Sequence, residues 1–309
     1  MSMSDINSAE FSRNYGFWNE REQKAIIDTK VAIAGVGGDG FQLGLKLARI
    51  GVQTFDIADP ELFEPENANR VPGATTATYG RNKAEVFHEK VLDINPEADV
   101  RIFTDGVTEA NVDEFTDRAT LLFDESELTH LEVGAMLARA SRERKIPDIL
   151  VMNIGFAAVI TSFNPESKWT FEKFMGIPQD MPLDEIRGRQ VAFDRCLPYL
   201  PRYGDLNTLR AVQEGAPLPS IAPGVDVASA LGVTQALKHI TIGTNHREKP
   251  IWAPHVGYMD AYTLESGVTC HPRYSHYSYL ARAVLNNLLG SSPAANYTNE
   301  DRARREAAN

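Results

Sequence analysis

Asp59, Asn67, Asn69, Arg70 and Lys83 crowd into a short stretch that closely follows a glycine-rich turn. In that turn, "GVGGDG", Gly35, Gly37 and Gly40 have the GxGxxG spacing. Glycines so spaced between a strand and a helix let backbone N–H groups approach a phosphate at the helix N-terminus. A tight strand-to-helix turn with no ligand would use the same residues, so the motif alone decides little. Asp59 ends the next apolar run, where a carboxylate can accept hydrogen bonds from ribose hydroxyls. An acid facing water at a strand end is the ordinary alternative. Two cations, Arg70 and Lys83, are more than a nicotinamide site needs this close to the turn. A site that cleaves a triphosphate does need them, because fixed cations stabilise a departing pyrophosphate. Asp124 closes the run "LLFD", where the C-terminal edge of a parallel sheet would present a Mg²⁺ ligand. Asp39, inside the glycine turn, would repel a bound phosphate, and it reads as a helix N-cap or first-turn acid.

The elements that must position these groups alternate in type. "KVAIAGVG" is a continuous apolar run ending in glycines, as expected of a strand buried on both faces. "FQLGLKLARIG" predicts a helix stopped by Gly51, and "VQTFDIAD" a second strand. Residues 12–29 predict one or two lead-in helices. Further helices are predicted at 81–93, near 109–118, at 129–145, 225–240 and 275–289. Strand material lies in "NPEADVRIFTDGV", "ATLLFDE", "DILVMNIG" and "IWAPHVGYMDAYTL". Alternation of this kind implies an α/β fold: a Rossmann-like, mostly parallel sheet with helices on both faces. Residues 164–223, rich in Pro and aromatics, break the rhythm and read as an irregular crossing loop or insertion. C-terminal strand material follows, and 291–309 is a polar, loose tail.

Composition narrows the class of protein. The 309 residues carry a net charge of −11, which argues against a nucleic-acid backbone as partner. Two cysteines, Cys196 and Cys270, form neither a disulfide framework nor a CxxC pair, so no structural zinc is expected. The apolar run 149–163 is too short for a bilayer span, and "MSMSDINSAEF" lacks the regions of a signal peptide. The reading is a cytoplasmic protein with no membrane partner.

Taken together, these residues resemble the ThiF/MoeB superfamily, the adenylating domains related to ubiquitin-activating enzymes. The family follows its glycine turn with a strand ending Asp-x-Asp, then Asn-Leu-x-Arg, then a Lys thirteen residues on. Here the chain reads Asp59-Pro60-Glu61, Asn67-Ala68-Asn69-Arg70 and Lys83. Asp124 falls where the resemblance places a metal-binding Asp, and Arg13 in "FSRNYGF" is similar to an Arg of the family's N-terminal signature. "PGVDVASALGVTQALKHITIG" resembles its late helix. The likeness spans roughly residues 12–265. Glu61 in place of Asp, Val71 in place of Gln, Asp39 in the glycine turn and the missing CxxC pairs depart from the pattern and mark a divergent branch.

The resemblance implies a single adenylating domain over 1–290 that uses ATP and Mg²⁺. Gly38 would offer a backbone N–H to the triphosphate, Asn67 would orient it, and Arg70 and Lys83 would hold the β- and γ-phosphates. Asp59 would bind ribose and Asp124 the metal. The substrate would be a carboxylate at the C-terminus of a ubiquitin-like sulfur carrier or of a peptide, with a small-molecule acid as a further possibility. It also implies a homodimer in which Arg13 reaches the partner's triphosphate. Cys196, in "FDRCLPYLPRY", lies where thioester-forming relatives carry their cysteine, and an unreactive thiol is the preferred reading. A non-catalytic nucleotide-binding scaffold and an NAD-dependent oxidoreductase remain the alternatives.

Overall fold

The computed structural model describes residues 5, 8–189, 199, 201, 203, 219–242 and 248–270. Eight strands form one sheet in the order β3-β2-β1-β4-β5-β6-β7-β8. The strands are β1 (Lys30–Ala34), β2 (Thr54–Ala58), β3 (Asp99–Phe103), β4 (Leu121–Asp124), β5 (Asp148–Ile154), β6 (Ala157–Phe163), β7 (His255–Asp260) and β8 (Glu265–Cys270). The first five run parallel, and β6 to β8 continue the sheet antiparallel. The chain leaves β1 toward β2 and β3, then returns to β4 on the other side of β1. That reversal makes the end of β1 a topological switch point, where open α/β sheets bind ligands beyond their carboxyl edge.

Why these segments became strands is visible in β1. Val31 and Ile33 project to one face, and Ala32 and Ala34 to the other, all fully or almost fully buried. The first face packs with Phe41, Leu43, Leu47, Phe87, Ala228 and Val233. These come from α2 (Gly38–Ile50), α3 (Lys83–Ile94) and α8 (Ala222–Ile240). On the opposite face Ala32, Ala34 and Ala58 meet Phe115 and Leu137, from α4 (Val112–Thr116) and α5 (Leu131–Arg144). Helices therefore cover both faces. A lead-in helix α1 (Glu20–Asp28) starts at Asn19, whose side chain and that of Glu22 form a reciprocal capping box.

The apolar run 149–163 is not one element. It bends at Gly155, φ +62°, so that β5 and β6 pair antiparallel, Val151 opposite Ile160. The irregular stretch after 163 contains two short helices, α6 (Phe171–Met175) and α7 (Leu183–Ile186). Glu172 of α6, fully buried, accepts from Arg139 and Arg142 of α5, which anchors this stretch to the sheet's α5 face. The long helix begins at Ala222, three residues before the predicted start, with Pro223 in its first turn, the position where a missing N–H is harmless. The helix read at 275–289, the tail 291–309 and Cys196 lie outside the described residues.

Candidate nucleotide site

The glycine turn is fixed by backbone geometry before any ligand is considered. Gly35 takes φ +102°, and a Cβ there would stand 2.3 Å from the carbonyl oxygen of Glu125. A Cβ on Gly40 would stand 2.0 Å from the carbonyl oxygen of Gly35. Both positions thus exclude side chains, and the first turn of α2 sits directly on the end of β1. Gly37 caps α2 and faces open space, while Gly38 lies beneath the Arg70 side chain and Val225 of α8. Open backbone N–H groups at the end of a helix with a cation above them form a favourable place for phosphate.

Asp59 closes this turn from the β2 side. Its Oδ2 accepts from Val36 N at 2.8 Å and its Oδ1 from Glu61 N at 2.9 Å, and the residue is buried. Burial pushes its carboxyl pKa up, opposed by Lys83. Each oxygen keeps a lone pair that a ribose hydroxyl can use. Asn67 is buried and engaged locally: its Oδ1 accepts from Glu64 N in a capping box around the 3-10 turn Pro65–Asn69. Its structural part is thus to shape the loop that carries Arg70.

Arg70 differs from the arginines that brace the fold on buried acids. Arg101 and Arg118 clasp Asp56, and Arg139 and Arg142 clasp Glu172. Arg70 instead donates through Nη1 to two neutral acceptors, Glu66 O at 3.0 Å and Asn69 Oδ1 at 2.9 Å. Among the described residues no carboxylate pairs with it, so its charge is left for an anion. Lys83 is the first residue of α3 and is buried, and its Nζ donates to Glu61 Oε2. Glu61 is itself half-exposed, so this pairing leaves a route to solvent. A residue the sequence reading passed over positions Lys83. Asn82 caps α3 by accepting from Ala84 N and Glu85 N, while its amide donates to Asp59 O. An Asn immediately before an apolar-periodic segment is a recognisable cap signal.

Two acids complicate the site. Asp39, in the first turn of α2, accepts through Oδ2 from Asn153 N at 3.1 Å and Asn153 Nδ2 at 2.8 Å, and its Oδ1 is buried without a partner. Burial raises its pKa to about 7, against the pull of those donors and of Arg70. Glu125, next to it in charge, is pushed well above the usual carboxylate range by burial and by Asp39, Asp124 and Asp148. The first-turn placement expected for Asp39 is therefore what the fold shows, with Asn153 as its anchor.

Asp124 ends β4, and the next residue, Glu125, borders the glycine turn at Gly35. Asp124 alternates with Phe123, so its carboxylate lies on the α5 side, against Gly134. Its Oδ1 accepts from Ser126 N at 3.1 Å and Ser126 Oγ at 2.6 Å. Burial raises its pKa to about 6. Among the described residues no group of three or more His, Cys, Asp or Glu side chains is placed to hold a metal ion. A lone carboxylate suits magnesium, which is commonly held by one or two carboxylates with substrate phosphates and water completing the shell. Arg13 is exposed, on the segment between the short turn Ala9–Phe11 and α1. No described helix is long and apolar enough to cross a membrane.

Residues 11–269 match the model of the ThiF family. The chain belongs to the ThiF family. It is 29% identical over 109 residues to SUMO-activating enzyme subunit 1 of Bos taurus, covering 34% of this chain and 30% of that protein. It is 30% identical over 113 residues to the tRNA threonylcarbamoyladenosine dehydratase of Escherichia coli K12, covering 37% of this chain and 42% of that one. These matches thus span less than half of each curated relative. Among solved structures, E. coli MccB with ATP superposes with a TM-score of 0.64 at 17% identity, over 87% of this chain and 73% of that one. MccB with AMPCPP and MccA gives 0.65 at 18% identity, over 86% and 72%. At such identity these neighbours bear out the Rossmann-like ThiF fold alone.

Proposed function

We propose that this ThiF-family chain binds ATP at the glycine turn and adenylates a carboxylate, releasing pyrophosphate. The observation that carries the reading is Arg70, its stem against Gly38 and its Nη1 held by neutral acceptors only, beside the open backbone of Gly37, with the buried Lys83 acting on Asp59 at the same turn. The triphosphate would lie along the N-terminus of α2, with Asp59 on the ribose. A substrate carboxylate would attack the α-phosphorus. A new C–O–P linkage forms as the bond to the β-phosphate oxygen breaks. Arg70 and Lys83 take up the negative charge that the leaving pyrophosphate develops, the kind of preorganised stabilisation that lowers a barrier most. For Lys83 this means exchanging Glu61 for phosphate. Mg²⁺, supplied with the nucleotide, would neutralise further charge, and Asp124 is the proposed protein contact.

The carboxylate is proposed to be the C-terminus of a ubiquitin-like protein or a peptide. The support is that one relative bears the name of a SUMO-activating enzyme subunit and that a neighbour of the same fold has been solved with the peptide MccA. The working unit is proposed to be a homodimer with Arg13 acting in trans, and a single adenylating domain over residues 1–290. A nucleotide-binding scaffold is favoured by one observation, a carboxyl, Asp39, in the first turn of α2 within reach of the charge of Arg70. Exchange of labelled pyrophosphate into ATP, measured with C-terminal peptides as the carboxylate source, separates the two. Exchange that requires the peptide supports adenylation. Tight ATP-analogue binding without any exchange across the peptide set supports the scaffold.

A further inference from the structure

Arg70 owes its position to a neighbour that the family pattern leaves open, and this rests on the adenylation reading above. Asn69 ends the turn Pro65–Asn69 and is exposed, yet its amide is used at both ends. Its Oδ1 accepts from Arg70 Nη1 at 2.9 Å, and its Nδ2 donates to Ser220 O at 3.0 Å. Ser220 also bridges to Gly155 at the turn between β5 and β6. A few residues on, Val225 of α8 lies against Gly38. The side chain of Asn69 therefore spans from the segment leading into α8, which touches the glycine turn, to the guanidinium of Arg70, whose stem lies against that same turn.

We propose that Asn69 is a positioning residue that fixes the Arg70 guanidinium for the β- and γ-phosphates. An unrestrained arginine side chain carries rotamer entropy that is lost when it grips a ligand. Here much of that freedom is removed in advance. Both protons of Nη1 are taken, by Asn69 Oδ1 and Glu66 O, and no described residue takes those of Nη2 or Nε. The guanidinium is aimed without being neutralised, which a carboxylate at position 69 would not achieve. The second bond, to Ser220 O, keeps the amide from rotating, so that its oxygen rather than its nitrogen faces Arg70.

The test is a double-mutant cycle read by calorimetric binding of α,β-methylene ATP and of AMP, using the full chain as wild type, Asn69→Ala, Arg70→Ala and the double variant. Asn69→Ala is expected to weaken the triphosphate analogue about tenfold, the scale of one hydrogen bond to a charged group. AMP, which lacks the β- and γ-phosphates, should bind within about twofold of wild type. The double variant should bind no more weakly than Arg70→Ala, because Asn69 acts through that residue. Unchanged analogue binding in Asn69→Ala, equal losses for analogue and AMP, or losses that multiply in the double variant would each overturn the proposal. Wild-type protein that binds neither ligand would instead overturn the nucleotide reading itself.

Discussion

The α-carbon of Gly40 lies so close to Gly35 that a Cβ would stand 2.0 Å from the Gly35 carbonyl oxygen. Backbone cannot move aside as a flexible side chain can, so the first turn of α2 and the end of β1 tolerate only glycine at this contact. Gly40→Ala is expected to cost about 1–3 kcal/mol, the range for overpacking, and to abolish nucleotide binding by shifting α2 off β1. Urea unfolding and analogue titration measure the two effects. A variant that kept wild-type values in both would show that the turn is not rigid.

Asp39 gives the site a pH dependence. Its carboxyl, raised to about 7 by burial, stays protonated in the folded chain at pH values where the unfolded chain has ionised. Its contribution to stability is therefore best at low pH and is withdrawn as pH rises from about 4 to about 7. Asp39→Asn keeps an acceptor for Asn153 and removes the charge. Its stability advantage over wild type should grow across that window, by at most about 1.4 kcal/mol per pH unit, and then level off. Arg70 draws that carboxyl down against its burial, and the Asp39 charge in turn raises the carboxyl of Glu125. Analogue affinity in the wild type should fall between pH 6 and 8 more than in the variant. Parallel pH profiles for the two proteins would contradict this.

Arg70→Ala and Lys83→Ala should each remove ~3–4 kcal/mol of transition-state stabilisation while leaving the fold intact. Circular dichroism checks the fold, and pyrophosphate exchange checks the loss. Asp124→Asn separates a metal contact from a structural cap. The amide oxygen can still accept from Ser126, so stability should change by less than about 1 kcal/mol. Exchange should fall steeply, most of all at limiting Mg²⁺. Normal exchange at all Mg²⁺ concentrations would reduce Asp124 to the cap that Ser126 already shows it to be.

Arg13, exposed on a single chain, is expected to complete the site of a second copy. Arg13→Ala and Arg70→Ala proteins would then be nearly inactive alone. Mixed in equal amounts with subunit exchange, half the dimers become heterodimers, each with one intact site, and activity should recover to roughly a quarter of wild type. No recovery despite proven exchange, or a chain that stays monomeric at micromolar concentration, would place Arg13 outside the chemistry.

Much of this fold is legible in the sequence because local rules agree with tertiary ones. Past Lys30, the run "KVAIAGVG" is apolar at every residue up to the first glycine, and a strand flanked by helices on both faces results. The same continuity hides which way a side chain points. In "LLFD" both faces are apolar, so nothing local shows that Asp124 turns toward α5 while Phe123 turns toward α2. Long-range polar pairs were equally hidden. Asp39 meets Asn153, and Asn69 meets Ser220, only because β5 and α8 converge beside the glycine turn. The run 149–163 was legible as apolar but not as a hairpin, since its bend depends on a single glycine, Gly155, within hydrophobic sequence.

Adenylation is defined by which bond of ATP is broken. Incubation with Mg²⁺, a set of C-terminal peptides and ATP labelled separately at the α- and γ-phosphates would report it directly. Adenylation predicts the α-label on the peptide as its acyl-adenylate, or as AMP once that linkage is hydrolysed, and pyrophosphate from the γ-label, dependent on peptide and lost in Arg70→Ala. Formation of ADP and inorganic phosphate, or turnover indifferent to both the peptide and Arg70, would contradict it.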